Sequence, residues 1–180
     1  MKTAVVVTIE AERATPYASL CDALRSRGPT LNLLFEQARM ALDRESDTVL
    51  RDAFAGTIAV VLHDMVRGYW RAQSGSKTEW KDAGPKIAGF SLPQILAAAV
   101  DNFRHYEEWD TQKGATLTQV RSVRILAAVL GIPLKKHSKR PPFRGNVCWP
   151  VLEALASGAG YTRMDAIVRE FALNLQLNRT

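Results

Sequence analysis

The densest chemistry in this 180-residue sequence is the run Asp101-Asn102-Phe103-Arg104-His105-Tyr106-Glu107-Glu108-Trp109-Asp110. At helical spacing Asp101, Arg104, His105 and Glu108 share one face, and Leu96, Ala99, Phe103 and Tyr106 form the opposite stripe. Such a face suits acid–base work on a phosphodiester. His105 exchanges a proton near neutral pH, Asp101 or Glu108 orients its ring, and Arg104 holds a phosphate oxygen. The same residues equally make a charge-paired surface, in which the carboxylates neutralise Arg104 and His105 at about 0.2–0.5 kcal/mol per pair. A metal site on Asp101, His105 and Glu108 would need His63 or Asp64 from a neighbouring helix, because one helix rarely surrounds a metal. The expectation is no metal and no cofactor.

A second stretch carries charge without helical period. Lys135, Lys136, Lys139, Arg140 and Arg144 are interleaved with Pro141, Pro142 and Phe143, and the prolines keep the chain extended. Flexible cations can follow a nucleic-acid backbone while Phe143 stacks on a base. A solvated linker is the plainer reading of the same residues. The formal net charge of +6 biases the whole surface toward polyanions, RNA among them. There is no glycine-rich phosphate loop, cysteine pair, histidine-rich metal motif or nucleophile elbow.

Arg104-His105, preceded by Asn102 and placed on a late helix of a small helical protein, resembles part of the motif of the HEPN superfamily (higher eukaryotes and prokaryotes nucleotide-binding domains). The resemblance implies a helical bundle and, for many members, a metal-independent ribonuclease of bacterial defence or toxin systems acting as a homodimer. On this chain it would place Asn102, Arg104 and His105 in the active site. The family pattern has a second histidine four to six residues beyond the Arg and polar pair; here Tyr106 to Thr111 contain none.

Several elements must position these groups. Thr15-Pro16 starts a helix and Gly28-Pro29 is expected to end it, with Thr30 capping a second helix striped by Leu31, Leu34, Phe35, Ala38 and Leu42. Residues 48–72 are apolar on most of their circumference, so they are expected to form the central, most buried helix, with His63 as a hydrogen-bonded core or rim histidine. Ser91 caps the focal helix. Thr116 to Gln119 have capping-box spacing for a helix reaching Leu130. Trp149-Pro150 opens another, and Thr162 the last, striped by Met164, Ile167, Val168, Phe171 and Leu175. Residues 73–90, with Trp80, read as a long surface loop, and 131–146 as a basic, proline-containing loop.

The sum is an all-α, single-domain bundle of about seven helices over residues 1–180, with a short extended N-terminal arm at 4–9. Hydrophobic content of 47% suits a globular chain, and no apolar run approaches the length of a membrane span. Residues 1–10 lack the features of a signal peptide. Two cysteines, Cys21 and Cys148, in a chain of this size make neither a disulfide framework nor a zinc cluster, and both are expected to be reduced and buried. These features lead to the expectation of a cytoplasmic RNA-binding domain that could cleave RNA through Arg104 and His105. The other expectation is a non-enzymatic protein-interaction module, such as an antitoxin, an immunity protein or a small subunit of a defence complex.

Overall fold

A computed structural model describes residues 15–41, 48–73, 83–109, 117–134 and 141–177. Its elements are α1 (Pro16–Met40), α2 (Thr48–Ala72), β1 (Lys86–Ile87), β2 (Phe90–Ser91), α3 (Leu92–Trp109), α4 (Leu117–Val129), α5 (Cys148–Ala156) and α6 (Tyr161–Leu177). The all-α class holds, but the described residues form six helices, not about seven. The expected arm at 4–9 and Trp80 lie outside the described residues.

The missing break is at Gly28-Pro29, which α1 crosses without stopping. Thr15 caps it as expected, its Oγ1 accepting from the Ala18 N–H at 3.2 Å. Leu20, Leu24, Leu31, Phe35 and Ala38 are all buried and lie in phase on one stripe that runs through the proline. A proline inside a helix costs about 3 kcal/mol relative to alanine. Each large apolar side chain buried beyond it contributes about 1.5–3 kcal/mol. Leu31 and Phe35 together therefore outweigh the break.

The loop expected at 73–90 ends in a two-strand antiparallel hairpin pairing Lys86 with Ser91 and Ile87 with Phe90. Its two turn residues, Ala88 and Gly89, have φ of 52° and 84°, the left-handed pair that a tight hairpin turn of type I′ requires. Alanine is a poor residue for that conformation, so the sequence carries no Asn-Gly or Asp-Gly signal to announce it.

The expected central helix is central. Ala55, Ile58, Ala59, Leu62, Met65, Val66 and Tyr69 of α2 are buried, and α2 packs against α1, α3, α5 and α6. The predicted stripe of the last helix is buried in full, from Met164 to Leu175. Thr162 falls one residue inside that helix instead of capping it.

Helices α2 and α3 approach closely at Gly56. A Cβ at Gly56 would overlap the Phe103 ring, whereas a Cβ at Gly68, three turns along the same helix, would meet nothing within 4 Å. Glycine costs a helix interior about 1 kcal/mol relative to alanine, so the two positions should respond with opposite signs. Gly68→Ala should raise the urea midpoint. Gly56→Ala should lower it, by about 1–3 kcal/mol of overpacking, with relief when Phe103→Ala is added.

Candidate functional site

The polar face of α3 is held from the helix start. Ser91, fully buried, donates its backbone N–H to Oε1 of Gln94 at 3.0 Å, half of a capping box, and Pro93 sits in the first turn, where an N–H has no helical partner. Eighteen residues then carry the face to Trp109.

Asp101, Arg104, His105 and Glu108 share that face, but they do not form one cluster. His105 Nδ1 lies 3.1 Å from Glu108 Oε1, and Gln119 of α4 donates to Glu108 Oε2 at 3.4 Å. With Glu108 ionised, Nδ1 carries the proton and Nε2 is left as the basic nitrogen. The pair is open to solvent, with 42% of the His105 side chain and 64% of the Glu108 side chain exposed. Asp101 does not join it. Its Oδ2 is buried and has no hydrogen-bond partner among the described residues.

The charge of Arg104 acts on His63 of α2. His63 lies 3.6 Å from Asp64 through Nδ1, and its side chain is 14% exposed. Burial is the main cause that pushes the His63 pKa below its ordinary value; Asp64 opposes the shift, while the charges of Arg67 and Arg104 add to it. Sequence reasoning named His63 a core or rim histidine, and a rim histidine is what the fold makes of it. Arg67 carried no signal beyond its position one turn after His63.

Asn102 has a structural task. It is completely buried; its Oδ1 accepts from the Val147 N–H at 2.8 Å and its Nδ2 donates to the Gly145 carbonyl at 3.3 Å. The thiol of Cys148, one residue on, donates to the Ala99 carbonyl at 3.2 Å, and burial pushes its pKa up to about 12. Phe143 packs beside Trp109, ring centroids 6.4 Å apart, and is partly buried against the core. It is therefore a packing residue more than a free stacking platform. Asn146 adds a link to α2 by donating to the Asp52 carbonyl at 3.5 Å. These contacts strap residues 141–148 onto α3 and leave Arg144 exposed on the strap.

Lys135, Lys136, Lys139 and Arg140 lie outside the described residues. Among those described, no three His, Cys, Asp or Glu residues are grouped to hold a metal ion, and no helix is long and apolar enough to cross a membrane. Cys21 and Cys148 are both free thiols.

Two measurements check these assignments. Asn102→Ala strands a buried N–H and weakens the tie to Gly145, so it should cost about 2–4 kcal/mol in urea unfolding; a catalytic asparagine with no structural task would leave the midpoint unchanged. For His63 the folded pKa lies below the unfolded value near 6.5, so the unfolded chain binds the extra proton as pH falls through that value. Stability should drop between pH 7.5 and 5.5, and His63→Gln should flatten part of that slope. No known family model, no curated protein and no solved structure matches this chain.

Proposed function

We propose that this chain binds single-stranded RNA across the face where α2, α3 and the strap meet. The exposed arginines of α2, α3 and the strap that lack a carboxylate partner carry the reading. Arg25 and Arg39 on α1, Arg51 on α2 and Arg169 on α6 are each tied to a carboxylate. Arg67 and Arg71 on α2, Arg104 on α3, Arg121 and Arg124 on α4 and Arg144 on the strap have no carboxylate partner among the described residues, as is also true of Arg27 on α1 and Arg163 on α6. Arginines that are not neutralised internally are available to phosphates, to which they bind through two parallel N–H groups. The basic residues Lys135, Lys136, Lys139 and Arg140 extend the same positive stretch in sequence.

His105, oriented by Glu108, is the group through which the bound strand would be cleaved. Its Nε2 takes the proton of a ribose 2′-hydroxyl as that oxygen attacks the adjacent phosphorus; the bond to the 5′ oxygen breaks, and that oxygen takes a proton from the imidazolium or from water. Arg104 would steady the phosphate during the exchange. This reading rests on the likeness of Arg104-His105 to the HEPN motif and has His105 acting without a second histidine in sequence.

The competing reading, a protein-interaction module, is favoured by one observation. Leu33 and Met40, on one side of α1, and Val49 and Leu50 at the start of α2 are all more than half exposed, apolar groups that a partner surface would cover.

Fluorescence anisotropy with a labelled single-stranded RNA separates the two. The RNA reading expects binding that weakens steeply with salt. Replacing both Arg67 and Arg104 by alanine should weaken it roughly tenfold and lower the salt slope by about 1.4, near 0.7 per lost phosphate contact. With EDTA present, His105→Ala should retain binding and abolish cleavage. No binding at low salt would discard the RNA reading in favour of the interaction module.

A further inference from the structure

A base at His105 Nε2 requires the ring proton to stay on Nδ1, and a neutral imidazole in water prefers it on Nε2. The hydrogen bond made by one ring nitrogen decides the matter. Here that bond is the 3.1 Å contact from Nδ1 to Glu108 Oε1, on an exposed helix face. Pairs of this spacing on a solvated helix are weak, and a glutamate gives up much of its rotamer freedom to hold one. Glu108 therefore needs a hold from outside α3.

Gln119 supplies one from the next helix. It is the third residue of α4, and its Nε2 lies 3.4 Å from Oε2 of Glu108, the other carboxylate oxygen. An ionised carboxylate only accepts, so the amide of Gln119 must present its NH₂ and not its carbonyl. Glu108 is thus held through both oxygens, by His105 on its own helix and by Gln119 across the gap.

The second holder sits on a firm support. Val123, Ile125, Leu126 and Ala127 of α4 are buried, and α4 packs along α3. Gln119 itself is half-buried, which restricts its side chain more than full exposure would. It also lies in the first turn of α4, and the N-terminal end of a helix carries partial positive charge that favours a carboxylate beside it. Groups held by packed elements keep a site in one geometry better than groups on a single solvated face.

We propose that Gln119 is a positioning residue, which fixes the Nδ1–H tautomer of His105 by holding Glu108 and so keeps Nε2 free to act as the base. Its use in cleavage rests on the RNA reading above, whereas the tautomer stands apart from it.

Long-range ¹H–¹⁵N correlation spectra of the full chain, recorded without RNA at alkaline pH where imidazoles are neutral, show which ring nitrogen carries the proton. The His105 signals are assigned with His105→Gln. They should report mainly the Nδ1–H form. Gln119→Met keeps the side-chain length and helix propensity but removes the donor, and should shift the ratio of the two tautomers about threefold toward Nε2–H. Gln119→Lys, whose ammonium can donate to the same oxygen, should restore the original ratio. A His105 that is mainly Nε2–H in the unaltered chain, a ratio unmoved by Gln119→Met, or one not restored by Gln119→Lys would each overturn the proposal. With a single-stranded RNA as substrate, kcat of Gln119→Met should fall in proportion to the Nδ1–H fraction while KM stays constant. A shifted tautomer with unaltered kcat would overturn the positioning role. Absence of cleavage by the unaltered chain would instead refute the cleavage reading and leave the tautomer spectra to decide what Gln119 does.

Discussion

The Phe103 ring occupies the space where a side chain at position 56 would have to go. That contact lets α2 and α3 run close enough to seal the middle of the core, and most of what is distinctive about the molecule depends on it. Phe103 is followed immediately by Arg104 and His105. Fixing the ring on α2 therefore fixes the rotation of α3, placing His105 beside Glu108, which Gln119 of α4 also meets, and bringing the charge of Arg104 to bear on His63. A rotated or more distant α3 would scatter the same residues.

The strap is the second constraint, and it starts from the same helix. Asn102, one residue before Phe103, serves the backbone of the strap with both ends of its amide. Such an amide is costly to bury unsatisfied, which makes it a strong register pin. Cys148 and Phe143 close the same interface from either side. One turn of α3 thus holds α2 through Phe103 and the strap through Asn102.

Much of this order was legible in the sequence where apolar spacing was long and regular. The stripe from Met164 to Leu175 and the all-round apolar character of residues 48–72 led directly to buried helices. Thr15-Pro16 and Ser91 marked their helix starts for the reasons that capping chemistry supplies. Pro29 misled because a local breaker was weighed without the stripe on either side of it, and tertiary burial won by a few kcal/mol. The hairpin at 86–91 escaped notice because Ala88 sits in a conformation that alanine rarely adopts. Asn102 was read as chemistry because sequence shows a polar residue in a polar run, not the distant backbone at Gly145 and Val147 that it serves. The bond from Gln119 to Glu108 joins residues of two helices, and no helical spacing announces such a meeting.

The three histidines of this chain offer the most direct test of where a polyanion sits. His63 and His105 flank Arg104, whereas His137 belongs to the basic run. Nuclear magnetic resonance titration of all three rings against pH, with and without a short single-stranded RNA, reads the local charge at each. A phosphate held at the α2–α3 face should raise the pKa of His63 and His105 on binding, since an added negative charge favours the imidazolium. A shift confined to His137, or binding that moves none of the three, would contradict that placement.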